Sequence, residues 1–188
     1  MNDIKLHLGC GNRYLEGYIH IDLDTQPHID YIHDIRTLPM FDDESVDLIY
    51  SCGTFVYFDR EEALVVLKEW QRVLKPGGRL RTSVPDFESI VQVYLDSGKT
   101  LEARGILGPL FGKWGIKTES DEVFLYQKTT YDYGAIKKML ETTGFKTVGR
   151  YNWWEILPPE YDDYSMAYIP HMDRENGLLM SLNVEAVK

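Results

Sequence analysis

Gly9 and Gly11 flank Cys10 directly after the apolar-rich run Leu6-His7-Leu8, and Asp22 follows Gly11 by eleven residues. Without a Cβ, glycine lets a backbone turn sharply and approach a ligand closely. An acid at the end of the next strand can accept hydrogen bonds from two ribose hydroxyls. Asp34 ends a third short strand, where a carboxylate can accept from the exocyclic amine of adenine. These positions describe an adenosine-type ligand lying across the carboxyl ends of three strands, the usual place for a ligand in an open α/β sheet. A dinucleotide motif would want a third glycine and an acid about 20 residues on. A nicotinamide-dependent oxidoreductase therefore fits less well.

The elements that must position these residues can be read from local patterns. Ile4–Leu8, Tyr18–Asp22, Asp30–His33 and Asp47–Ser51 are short apolar runs with β-branched or aromatic content, the pattern of strands in a covered sheet. Asp59 to Lys75 reads as a helix with Ala63, Val66, Leu67, Trp70, Val73 and Leu74 on one face. Asp59 with Glu62 has the spacing of a capping box, and Lys75-Pro76-Gly77-Gly78 is a stop signal. Arg79–Val84 follows as a strand. Asp86 opens a second helix whose expected buried stripe is Phe87, Ile90, Val91, Tyr94 and Leu95. Residues 98–128 show no clean period and read as an irregular insertion. Asp132 to Thr143 is a third helix, with Ala135, Ile136, Met139 and Leu140 inward and Gly144 at its end. Phe145–Tyr151 and Leu178–Val187 close a single domain over residues 1–188. The alternation points to an α/β doubly wound sheet.

Two crossovers are too short. Parallel neighbours usually need a dozen or more residues between them, yet residues 9–17 and 23–29 are all that separate the first three expected strands. One sheet face is therefore short of two helices. Leaving roughly 400 Å² of it bare would forfeit about 10 kcal/mol. Residues 111–168 hold 13 of the 24 aromatic side chains, among them Trp114, Tyr126, Trp153, Trp154 and Tyr164. They can pack over that face as a substitute layer or form an aromatic substrate pocket. A homodimer whose second copy covers the face is a third reading.

The stretches "LHLGCGN", "YIHIDLD", "HDIRTLP", "SVDLIYS", "VLKEWQRVLKPGGRLRTSVPD" and "LETTGF", taken in order, resemble the class I S-adenosylmethionine-dependent methyltransferases of the type 11-like branch. The closing "SLNVEAVK" resembles a compact subgroup associated with glycan or cell-surface polysaccharide biosynthesis. The resemblance implies a Rossmann-like methyltransferase sheet in trimmed form, with the first two crossover helices missing or rudimentary. It implies S-adenosylmethionine as cofactor. Gly9, Cys10 and Gly11 would approach its methionine part, Asp22 with Leu23 its ribose, and Asp34 with Ile35 its adenine. Ser51 would lie beside it. Two positions depart from the pattern: His7 stands where many relatives carry an acid, and Gly53–Phe58 replaces a usual His-x-x-Glu-His.

Composition narrows the partners. The net charge is −10, and residues 1–60 alone hold four Lys/Arg against eleven Asp/Glu. A phosphate backbone would be repelled, so nucleic acid is not an expected partner. A small neutral or cationic ligand is compatible. No run of 18 apolar residues occurs, and Met1–Lys5 is not the start of a signal peptide, so the expectation is cytoplasmic, with no membrane partner. Cys10 and Cys52 read as reduced thiols, and no metal site is expected.

Methyl transfer from a sulfonium is an in-line displacement, so the protein chiefly aligns the acceptor. A base near neutral pH assists an oxygen acceptor. His171 in "YIPHMD" is the first candidate, and Asp86 in "SVPDF" the second. The Asp162-Asp163 pair near Tyr164 could bind sugar hydroxyls or a divalent ion. The expected function is methylation of a hydroxyl or amine on a small molecule or glycan precursor. The alternative is a non-catalytic subunit or sensor that binds S-adenosylmethionine or S-adenosylhomocysteine.

Overall fold

The computed structural model describes residues 3–118, 121–171 and 173–188. In chain order its main elements are β1 (Lys5–Leu8), β2 (Ile19–Asp22), β3 (Tyr31–Ile32), β4 (Val46–Cys52), α1 (Arg60–Val73), β5 (Leu74–Pro85), α2 (Phe87–Asp96) and α3 (Leu107–Phe111). Then come β6 (Lys113–Lys117), β7 (Glu122–Tyr126), α4 (Tyr133–Thr142), β8 (Lys146–Arg150), β9 (Tyr168–Ile169), β10 (Leu178–Leu179) and β11 (Ser181–Val187). Seven strands form one sheet in the order β3-β2-β1-β4-β5-β11-β8. The first five are parallel, and β11 runs antiparallel between β5 and β8.

Successive strand residues point to opposite faces, and the two faces are covered differently. Leu6, Leu8, Ile21, Ile49, Leu80 and Val184 face a core that includes Leu67 and Trp70 of α1 and Ile136 and Leu140 of α4. The indole of the fully buried Trp70 donates to the Ile35 carbonyl at 2.9 Å, which ties α1 to the segment after β3. Asp59 caps α1 in a complete capping box with Glu62. On the opposite face, Tyr50 packs with Leu15, Trp153, Leu157, Tyr161 and Met166. Residues 9–18 and 23–30 form turns and bends with no helix, so the two crossovers are helix-free as their lengths require. The aromatic second half supplies the substitute layer.

Three local expectations need correction. The Lys75-Pro76-Gly77-Gly78 stretch lies inside β5, not beyond a glycine-capped helix end; the α1 cap, Leu74, is already extended. The last α1 carbonyls are met from outside, since the Glu44 and Ser45 amides donate to the Arg72 and Val73 carbonyls. On α2, Phe87, Val91 and Leu95 are exposed while Ser89 and Ile90 are buried. Ser89 Oγ donates to the Leu179 carbonyl at 2.8 Å, which turns that side of the helix inward. The insertion at 98–128 is not irregular throughout. It contains α3 and a β6–β7 hairpin, whose ends are joined where the Thr118 amide donates to the Asp121 carbonyl.

Trp70→Phe keeps an aromatic ring but strands the buried Ile35 carbonyl and leaves a void. Unfolding free energy should fall by at least about 2 kcal/mol. Urea denaturation checks this, and an unchanged midpoint would mean that the carbonyl finds another donor.

Candidate active site

The ends of β1, β2 and β3 form a ridge held by the side chains expected to bind the ligand. Gly9 and Gly11 adopt φ of +66° and +54°, a left-handed turn that a residue with a Cβ enters only under strain. A Cβ on Gly9 would also meet Thr54 Oγ1 at 2.3 Å. That hydroxyl donates to the Gly9 carbonyl at 3.0 Å, so the turn is clamped from the end of β4.

The acids can be counted by their lone pairs. A carboxylate offers about four acceptor sites. Asp22 Oδ2 accepts from the Gly11 amide at 2.7 Å, and Oδ1 accepts from the Asp24 amide at 2.9 Å. Two sites remain, enough for two ribose hydroxyls. Asp34 accepts from the Arg36 amide at 2.9 Å and from Arg36 Nε and Nη2 at 2.8 and 2.5 Å. One site remains, enough for one N–H of an adenine amine. The Arg36 pairing lowers the Asp34 pKa against the opposing effect of partial burial, so the carboxylate stays ionised. The donor and acceptor set therefore fits the adenosine part of S-adenosylmethionine.

The ridge opens into a cleft of about 820 Å³. Gly9, Cys10, Gly11, Asp22, Leu23, Asp34, Ile35 and His171 all line it, bringing together eight of the ten residues singled out in the sequence. Ser51 and Asp86 do not. Ser51 is fully buried and one residue out of phase with Tyr50, so the period of two turns it to the core face. Its neighbour Cys52 lines the cleft instead. Asp86 is 4% exposed, caps the Glu88 amide at 3.1 Å and pairs with Arg150 at 3.2 Å.

Trp114 and Tyr126, offered by the sequence as a possible aromatic wall, Asp163 of the acidic pair and Tyr57 all line the cleft, together with Thr54 and the hairpin residue Phe124, which sequence reasoning missed. Apolar alternation in Trp114-Gly115-Ile116 and Val123-Phe124-Leu125 was the available signal for the hairpin. The Trp114 ring lies 3.1 Å from where a Gly11 Cβ would be, so the hairpin folds back over the glycine turn.

Beneath the ridge lies a cluster of imidazoles. His7 is 5.5 Å from His20 and 5.3 Å from Tyr50, ring centre to ring centre, and His20 is 5.4 Å from His28. His20 Nε2 accepts from the Leu15 amide at 3.0 Å, pinning the first short loop. His7 is 2% exposed, and its Nδ1 has no partner. Burial, and then the nearby His20 and His28, push its pKa down to about 3. Burial also pushes the Cys10 thiol up to about 12, helped by the Asp22 charge, so it is no nucleophile near neutral pH. Among the described residues no cluster of His, Cys, Asp and Glu could hold a metal ion, and no helix is long and apolar enough to cross a membrane.

Residues 6–82 match a family model described as a methyltransferase domain. A demethylmenaquinone methyltransferase of Staphylococcus haemolyticus is 32% identical over 148 residues, covering 73% of this chain and 58% of that protein. A Staphylococcus aureus protein of the same description is 36% identical over 120 residues, covering 61% and 46%. The chain thus spans about half the length of these relatives. Two solved S-adenosylmethionine-dependent methyltransferases share the fold. One, from Archaeoglobus fulgidus, has a TM-score of 0.56 at 14% identity, covering 99% of this chain and 86% of that one. The other, from Mesorhizobium loti, has a TM-score of 0.54 at 17% identity, covering 98% and 90%.

Asp22→Ala removes both free acceptor sites and both loop anchors. Calorimetry should find binding of S-adenosylhomocysteine weakened at least tenfold, about 1.4 kcal/mol; an unchanged affinity would deny Asp22 the ribose. His7 gives a second test. Its pKa is lower folded than unfolded, so the unfolded chain takes up the proton first as pH falls. Stability should be full above about pH 6.5 and decline toward pH 3, by on the order of 1.4 kcal/mol per pH unit from this group. His7→Gln should show a shallower decline in urea midpoints between pH 7 and 5, and an identical slope would reject the assignment.

Proposed function

We propose that the chain is a class I S-adenosylmethionine-dependent methyltransferase that transfers a methyl group to a hydroxyl or amine of a small aromatic molecule. The aromatic wall of the cleft carries this reading. Trp114, Phe124 and Tyr126 of the hairpin face the same space as Tyr57, Tyr161 and Tyr164. Flat aromatic walls favour a ring-bearing acceptor. They support such an acceptor over the glycan precursor that the closing sequence suggests. The Staphylococcus relatives carry the name demethylmenaquinone methyltransferase, which supports a small-molecule acceptor.

S-adenosylmethionine, when bound, supplies a methyl group already activated on a sulfonium sulfur. What remains for the chain is alignment, exclusion of water and removal of a proton. Asp22 and Asp34 hold the adenosine part along the ridge. Thr54 fixes the glycine turn, and Trp114 narrows the space above it. His171, which lines the cleft, is the group assigned to take the acceptor proton. Asp86 is committed to α2 and Arg150 and has no part in this step.

The sensor reading keeps one observation in its favour. The short helical turn Phe55–Tyr57 presents no charged or imidazole group where the family pattern has His and Glu. Turnover separates the two. Purified protein with S-adenosylmethionine and a panel of phenols and arylamines should form S-adenosylhomocysteine and a methylated product, detected by mass spectrometry. His171→Ala should reduce turnover of phenols at least tenfold while leaving S-adenosylhomocysteine affinity within about twofold. Tight S-adenosylhomocysteine binding with no turnover across the panel would establish the sensor instead.

A further inference from the structure

The cleft carboxylates are matched unevenly. Asp34 is held by Arg36, Asp162 lies 3.6 Å from Arg13, and Glu62 lies 2.7 Å from Lys128. Asp22 is anchored on two backbone amides. Asp163 is different. Its Oδ2 accepts from Tyr50 Oη at 2.5 Å, and its Oδ1 accepts from the Ser165 amide at 2.8 Å and Ser165 Oγ at 2.5 Å. All three donors are neutral, and no ion pair among the described residues includes Asp163. Three of about four acceptor sites are used, which leaves one, contested only by the Cys52 thiol, a weak and neutral donor that burial keeps protonated. A carboxylate fixed this firmly, beside Tyr161, Tyr164 and Met166, is a charge without a counter-ion in a largely apolar place.

A second group points the same way. Tyr161 lines the cleft and is only 8% exposed, yet its hydroxyl has no hydrogen-bond partner. Burial, and next to it the Asp163 charge, push that hydroxyl far above its ordinary range, so it stays protonated and keeps its lone pairs. Buried hydroxyls are normally satisfied. An unpaired one beside an unpaired carboxylate marks a place for a ligand that brings donors and positive charge.

We propose that Asp163 and Tyr161 form a receptor for a protonated amine on the acceptor, which makes the acceptor an aromatic amine with a cationic side arm. This rests on the methyltransferase reading and narrows it. An ammonium offers three donors and no acceptor, matching one free carboxylate site and one phenol oxygen. The position also favours the acceptor over the cofactor. Along the sheet, Asp34 follows β3, Asp22 ends β2 and the glycine turn follows β1, whereas Asp163 hangs over Tyr50 of β4, one strand further on. The net charge of −10 draws cations toward the chain.

Tyramine and 4-ethylphenol share a phenol ring and differ by the ammonium. Calorimetry on the whole chain saturated with S-adenosylhomocysteine, at pH 7, should find tyramine bound at least tenfold more tightly. Asp163→Asn should erase that preference and leave S-adenosylhomocysteine affinity within about twofold. Tyr161→Phe should reduce the preference in part. Equal binding of the two probes by the wild type overturns the proposal and needs no variant, so it survives a failure of Asp163→Asn to fold. A retained preference in Asp163→Asn also overturns it. Loss of S-adenosylhomocysteine affinity in Asp163→Asn overturns it too, by assigning the carboxylate to the amino group of the cofactor. Absence of S-adenosylhomocysteine binding by the wild type removes the methyltransferase reading itself, a result distinct from equal probe binding.

Discussion

Residues 9–18 and 23–30 must return the chain from the end of one parallel strand to the start of the next, and they do so without a helix. Much of the structure follows from that shortage. A strand covered on both sides usually reads as a continuous apolar run. Here β1 and β2 alternate instead, Leu6-His7-Leu8 and Ile19-His20-Ile21, with aliphatic groups toward the helical core and imidazoles toward the bare face. Imidazole suits this place because it is flat enough to stack and polar enough to hold a short loop. His20 does both, lying parallel to Tyr14 at 5.0 Å and accepting the Leu15 amide.

The same shortage makes the ligand ridge and the loops one object. A helix would have satisfied the backbone amides after β1 internally or offered them to an anion. With none, the Gly11 amide turns to Asp22. The carboxylate proposed to hold a ribose also closes the turn, so in that reading binding and local stability share one side chain. The substitute layer behaves alike. Tyr50 is part of the packed aromatic face, and its hydroxyl also holds Asp163 at the cleft. Cover and cleft wall are made of the same residues.

What could be read in the sequence was what local chemistry decides. Asp59 with Glu62, the positive-φ glycines and the acids at the ends of β2 and β3 depend on neighbours a few residues away. The doubly wound α/β class followed from the strand–helix alternation and, by resemblance, from the motif order. The failures share a cause in tertiary contact. On α2, Phe87, Val91 and Leu95 form a plausible stripe, but the helix rolls toward Leu179 through Ser89. Ser51 and Cys52 are adjacent, and only the register of β4 against β1 decides which of them faces the cleft. Asp163 was visible as one of an acidic pair, but its fixation by Tyr50 spans 113 residues, beyond any local pattern.

Charge links these consequences. A helix N-terminus behind the glycine turn would have made the ridge partly positive and receptive to phosphate. Removing it leaves the ridge to carboxylates: Asp22, Asp34 and, one strand along, Asp163. Arg36 keeps Asp34 ionised, Asp22 and Asp163 are held by amide and hydroxyl donors, and His7 beneath them is kept neutral by burial, so no buried imidazolium offsets them at neutral pH. The result is a cleft with aromatic walls lined by five carboxylates against three cationic side chains, Arg13, Arg36 and Lys128. Pyrophosphate is unfavourable there. A sulfonium cofactor that carries positive charge and no phosphate is favourable, and the trimmed crossover thus acts on ligand choice as well as on shape.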